Sequence, residues 1–138
     1  MTSFVLDASV ALAWCFDDES TPAAWALLER LRTAPGHVPA LWRLEMANIL
    51  LGAEQRRRIT RARTAEFLEI LADLDIRVDA DLPGRAFRDV MPLARERRLT
   101  TYDAAYLELA LRLGLPLATK DKALARAAAE IGIRTLAA

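Results

Sequence analysis

Histidine and cysteine are almost absent: the 138-residue chain has one of each, His37 and Cys15. A serine or cysteine nucleophile needs an imidazole base, and a zinc site needs several nitrogen or sulfur ligands, so both chemistries are excluded. His37 lies in the turn-like "PGHVP" and is expected to face solvent. A lone cysteine builds no disulfide framework. The 5 glycines are scattered, and none forms the loop that cradles a nucleoside triphosphate or a dinucleotide. Net charge is missing too. Lys plus Arg and Asp plus Glu each total 19, so no global field draws in a polyanion. The longest apolar candidate, "FVLDASVALAWCF", is interrupted by Asp7, short of the roughly 18 residues a membrane span needs. The opening "MTSFV" has no basic lead-in of a secretory signal, so a cytoplasmic protein with no membrane contact is expected.

What remains is ordinary globular composition, 54% hydrophobic and 28% charged, without repeats or low-complexity segments. One domain over residues 1–138 is expected, large enough to bury a real core. "SFVL" reads as a short strand, and "ASVALAWCF", after Asp7, as a buried helix. "STPAAWALLERLRTA" has a cap-like Ser20 or Thr21, Pro22 at the first helical position, and stops before Pro35 and Gly36. "HVPA" suggests a strand. "LWRLEMANILLGAEQRRR" suggests a long, nearly all-apolar helix with a buried interior and a basic end. "TRARTAEFLEILADL", capped by Thr60, is helical, "DIRVDA" alternates as a strand does, and "PGRAFRDVMPLARERR" is a helix bent at Pro92. After the helical "AAYLELALRL" come a strand at "PLAT", a helix at "KALARAAAEIG" ending at Gly132, and a last strand at "IRTLA". Alternation of this kind predicts an α/β fold, a central, mostly parallel sheet flanked by helices, with ligands beyond the carboxyl ends of the strands.

Four acids stand out against this background. Asp7 follows the first strand, Asp121 follows "PLAT", and Asp103 opens a helix, so all three are expected at one edge of the sheet. Glu45 sits among Leu41, Leu44, Asn48 and Ile49 on its helix, where an ionised carboxylate has little access to water. Bland readings compete: Asp7 and Asp121 as N-caps, Asp103 in a capping box with Thr100, Glu45 salt-bridged to a distant Arg. The sharper reading is a metal site. Four converging carboxylates repel one another unless a divalent cation offsets their charge, and hard oxygen ligands imply Mg²⁺ or Mn²⁺. Such a site suits phosphodiester hydrolysis.

The segments "FVLDASVALAWCFDDE", "PALWRLEMANIL" and "LTTYDAAYLELALRLGLPLATKDKAL", in this order and spacing, resemble PIN-domain ribonucleases of the VapC toxin type, and the resemblance spans the whole chain. It implies a PIN-like three-layer sandwich and an RNA-cleaving enzyme using Mg²⁺ or Mn²⁺, with a 5′-phosphate and a 3′-hydroxyl as products. It places the acidic quartet on Asp7, Glu45, Asp103 and Asp121 as catalytic and metal-binding residues, with Thr119 as a supporting hydroxyl. Ser9 is a second candidate support. It also implies a VapB-like antitoxin partner and a homodimer. Arg56, Arg57, Arg58 and Arg61, in "QRRRITRAR", are candidates for RNA backbone contacts, against a solvated surface as the plain alternative. Asp17 and Asp18 read as a solvated helix-end pair, and Trp14, Trp25, Trp42 and Phe67 as core residues or a partner groove. Two rival functions stand beside the nuclease: a phosphoacceptor signalling module with Asp79 or Asp81 as acceptor, and an inactive scaffold of the same fold.

Overall fold

Phe4, Val5 and Leu6 are all fully buried, which marks the strand they form (β1, Phe4–Leu6) as central in a sheet covered on both faces. The computed structural model describes residues 2–138. Four more strands complete the sheet: β2 (Gly36–Val38), β3 (Ile76–Val78), β4 (Leu117–Ala118) and β5 (Thr135–Leu136). Their order is β3-β2-β1-β4-β5, and every pair is parallel. Val5 sits opposite His37 on one side and Leu117 on the other. The chain thus winds outward from β1 to β3, then returns to the other side of β1, and the reversal opens a crevice at the carboxyl ends of β1 and β4.

The helices are α1 (Ala8–Ala13), α2 (Pro22–Arg30), α3 (Trp42–Gln55), α4 (Arg61–Ala72), α5 (Leu82–Arg85), α6 (Met91–Arg97), α7 (Thr101–Leu113) and α8 (Lys122–Glu130). Three begin at a threonine whose hydroxyl accepts a backbone N–H in the first turn: Thr21 from Ala24 at 3.0 Å, Thr60 from Arg63 at 3.1 Å, and Thr100 from Asp103 at 3.1 Å. Thr21, not Ser20, is therefore the cap of α2. The α/β sandwich is the architecture expected from the sequence. The main core runs from β1 through α1 to Leu27, Met46, Phe67, Leu107 and Leu124. A smaller cluster, Val90, Ala94, Ala104 and Ala105, joins α6 to α7.

Several local expectations need correction. The α3 helix buries one stripe, Trp42, Met46, Leu50 and Ala53, while Leu44 and Leu51 are 77% and 54% exposed. An apolar sequence on every side does not force burial when only one face has a neighbour. Its basic end is not helical: Arg57 takes a left-handed conformation that terminates α3. The single bent helix expected around Pro92 is three pieces, with a π-helical turn over Ala86–Val90 between α5 and α6. Pro92 has no N–H to give and its ring crowds the carbonyl four residues back, so the ladder widens just before it. His37 is half-buried within β2, not in a turn, because its backbone is held between β1 and β3. Trp14, Trp42 and Phe67 are core, whereas Trp25 is 43% exposed and donates its ring N–H to Ser20. Asp17 and Asp18 lie in a 3₁₀ turn rather than at a helix end.

Candidate active site

The site grows from the end of β1. The Asp7 N–H donates to the carbonyl of Ala118 at 3.0 Å, which fixes the two strand ends against each other. The Asp7 side chain does not cap α1, although it stands at that helix's start. Its Oδ2 instead accepts the hydroxyls of Ser9, at 2.7 Å, and Thr119, at 2.6 Å. Each hydroxyl is anchored in turn: Ser9 Oγ accepts the Lys120 N–H at 2.9 Å, and Thr119 Oγ1 accepts the Asp121 N–H at 3.0 Å. Two segments more than 100 positions apart are thereby joined around one buried carboxylate.

The other three acids reach the same region from different elements. Asp121 caps α8, its Oδ1 accepting the N–H groups of Ala123 and Leu124 at 2.9 and 3.1 Å, so the plain capping reading holds for this residue as well. Asp103 stands in the first turn of α7, and Glu45 in the first turn of α3. Glu45 Oε1 accepts the phenol of Tyr106 at 2.6 Å. Tyr106 is fully buried and three residues beyond Asp103 on α7, so one helix carries both an acid and the hydroxyl that orients another. The sequence signal for that role, a tyrosine one turn after Asp103, was present but unread.

Electrostatics tie the group together. Burial raises the Asp7 pKa above the usual aspartate value, the hydroxyls of Thr119 and Ser9 oppose it, and the charge of Asp121 adds to the rise. Burial likewise raises Glu45, against the Tyr106 bond, with Asp7 and Asp103 pushing further. Asp103 is raised by burial and then by Asp121 and Asp7. Burial, followed by the charge of Asp7, holds the Tyr106 phenol protonated far above neutral pH. Among the described residues none of the four acids forms a salt bridge with Lys, Arg or His. The distant-arginine reading of Glu45 therefore fails.

An anionic pocket of this kind, without an internal cation, has the donor chemistry of a hard divalent ion such as Mg²⁺ or Mn²⁺. Among the described residues no three His, Cys, Asp or Glu side chains already enclose a single point. Glu45 is turned to Tyr106 and Asp121 to its own helix. Mg²⁺ requires no such cage, because it keeps several waters and uses one or two carboxylates. The residues fit such an ion by charge and ligand type.

Other candidates are engaged elsewhere. Asp79, at the end of β3, receives Arg112 at 2.7 Å, and Arg112 also binds Glu108 at 3.0 Å and Asp81 at 3.7 Å. An aspartate held in that ion pair is poorly placed to accept a phosphoryl group. Arg58 donates to Asp18 and Glu19 and stacks 4.0 Å from the centre of the Phe16 ring. Arg56, Arg57 and Arg61 make no side-chain hydrogen bond or ion pair among the described residues, and none links this basic segment to the four acids. Lys120, unread in the sequence, reaches from the site to the carbonyl of Glu19.

A parallel α/β sheet with an unpaired carboxylate cluster at its carboxyl edge defines a class of protein, and sequence comparison specifies which. The chain belongs to the PIN domain family, whose model matches residues 4–130. PIN domains are in general nucleases. Among solved structures, PAE2754 from Pyrobaculum aerophilum is 24% identical, covers 91% of this chain and 84% of its own, and superposes with a TM-score of 0.67. VapBC2 from Rickettsia felis, bound to a DNA fragment from its promoter, is 11% identical, covers 99% and 98%, and gives a TM-score of 0.69. At such identities the likeness is one of fold. No curated protein matches the sequence.

Proposed function

We propose that the chain is a Mg²⁺-dependent endoribonuclease of the toxin kind, hydrolysing RNA phosphodiester bonds to leave a 5′-phosphate and a 3′-hydroxyl. The observation that carries this reading is the convergence of Asp7, Glu45, Asp103 and Asp121, from four separate segments, with Asp7, Glu45 and Asp103 raised in pKa by burial first and then by neighbouring carboxylates, and with no salt-bridged cation among the described residues. Such a cluster weakens the metal-free fold, and a function that needs it is the simplest reason to keep it. The four carboxylates would surround the ion, one or two of them directly and the others through its waters. A divalent ion bound there supplies positive charge that acidifies water and neutralises a phosphoryl group. Ser9 and Thr119 fix the orientation of Asp7, and Tyr106 fixes that of Glu45, so the ligands are set by hydroxyl bonds rather than by rotamer chance. Likeness to VapBC2 supports a VapB-like antitoxin as partner in the cytoplasm, and a homodimer belongs to the same reading.

The test is incubation of purified protein with a mixed RNA pool, in Mg²⁺ or in chelator, alongside the Asp7→Asn variant. Cleavage is expected only for the unaltered protein with metal. Cleavage that survives chelation or the substitution overturns the proposal.

A further inference from the structure

Beside the acids lies a cavity of about 670 Å³ with a different character. Leu44, Ala47 and Leu51 of α3 form its floor, Glu45 forms the wall shared with the acids, and Tyr102 stands opposite on the first turn of α7. Tyr102 is 63% exposed and immediately precedes Asp103. Asn48, exposed on α3, lines the same space and makes no side-chain hydrogen bond among the described residues. Among the described residues no Lys or Arg lines the cavity. It is therefore unsuited to a phosphate, yet it adjoins the place where a phosphate would react.

We infer that Tyr102 and Asn48 form a subsite for one unpaired nucleobase of the RNA, next to the scissile phosphate. The inference rests on the nuclease reading above. A phosphate at the acids brings its attached nucleoside into the adjoining space, where among the described residues Tyr102 is the aromatic side chain in the lining. An exposed aromatic ring offers a base a stacking surface, and apolar walls at Leu44 and Leu51 complete the slot. The Asn48 amide carries a donor and an acceptor side by side, the arrangement that reads an adenine edge. A base inside a duplex is stacked on both sides and cannot enter, so the subsite selects single-stranded RNA. The apolar floor would also suit a second protein chain. Asn48 argues against that, since a dry interface would bury an exposed side chain that makes no hydrogen bond among the described residues.

The test uses single-stranded RNA oligomers carrying 2-aminopurine, whose fluorescence falls on stacking, titrated in Mg²⁺ with the cleavage-silenced Asp7→Asn protein. Quenching is expected, and it should persist with Tyr102→Phe but vanish with Tyr102→Ala, along with roughly 10-fold or greater weakening of binding. The same base in a hairpin stem, already dim from stacking on its neighbours, should show no further change on titration. In the cleaving protein, Tyr102→Ala should raise KM with kcat little changed, and Asn48→Ala should flatten base preference at mapped cleavage sites. Quenching that depends on Tyr102 in a protein that never cleaves RNA supports the subsite and sinks the nuclease. Cleavage with equal quenching for Tyr102 and Tyr102→Ala overturns the subsite and leaves the nuclease standing. A change confined to oligomeric state by light scattering, with RNA binding unaltered, assigns this face to a second copy and also overturns it.

Discussion

The Asp7 carboxylate leaves its own helix uncapped and accepts the hydroxyls of Ser9 and Thr119 instead. Thr119 reaches it from the far end of the chain, 112 positions away, and the bond is buried. Thr119→Val removes a buried donor while keeping shape. It is expected to raise the Mg²⁺ concentration for half-maximal cleavage by about 10- to 100-fold, the usual effect of losing a hydroxyl that orients a ligand. An unchanged metal titration would mean that Thr119 only ties the strands together. A second prediction concerns protons. Asp7, Asp103 and Glu45 bind them more tightly when folded than at their ordinary values of 3.8 and 4.5. A group raised in this way contributes stability that is full below its unfolded pKa and is lost as pH rises through the folded one. Asp79 is the opposite case: burial pushes it up, but the Arg112 bond and charge push it further down, so its contribution is lost only below pH 3.8 and leaves the window above untouched. His37, whose burial lowers its pKa from 6.5, works the other way inside the same range. In a His37→Gln background, chelated protein should therefore melt at a higher temperature at pH 5 than at pH 7.5, and at pH 7.5 Asp7→Asn should melt above its parent. A flat melting profile across that range would contradict the buried, cation-free pocket.

At the scale of elements, legibility followed locality. Helix starts were readable because a cap is a short-range bond: Thr60 and Thr100 do what their spacing announces, and Pro22 follows Thr21 at the first turn. What depended on distant neighbours was not readable. The exposure of Leu44 and Leu51 reflects which α3 face meets the core. The clearest miss is Arg112, which joins α7 to the end of β3 through Glu108 and Asp79; nothing in "LELALRLG" announces a partner 33 residues upstream. All three side chains are largely buried, with 17%, 8% and 13% exposure. Arg112→Ala would strand two carboxylates, and a loss of about 3–5 kcal/mol is expected. Arg77→Ala, which breaks the exposed pair with Asp75, should cost at most about 1 kcal/mol. Urea denaturation of both variants measures the contrast, and similar losses would show that the Arg112 cluster is no more than another surface pair.

For the whole molecule, the alternation of strands and helices sufficed to predict a parallel sheet, but the strand order could not be read from it. The order matters, because reversal after β3 is what sets β4 beside β1 and so brings Thr119 and Asp121 to Asp7. α3 and α7 then deliver Glu45 and Asp103 from outside the sheet, and the Tyr106 bond to Glu45 locks those two helices together at the site. Four segments that bring a repulsive cluster together beside their shared core should gain stability when that repulsion is relieved. Mg²⁺ binding only to the folded state at 100 times its Kd adds about 2.7 kcal/mol, which raises the melting temperature of a chain this size by several degrees. Asp103→Asn should reduce the rise, whereas Asp81→Asn, exposed beside Arg112 and apart from the cluster, should leave it intact. Equal shifts in Asp103→Asn and the unaltered protein would place the ion elsewhere, and no shift at all would mean that the acids hold their shape through the hydroxyl bonds of Ser9, Thr119 and Tyr106 alone.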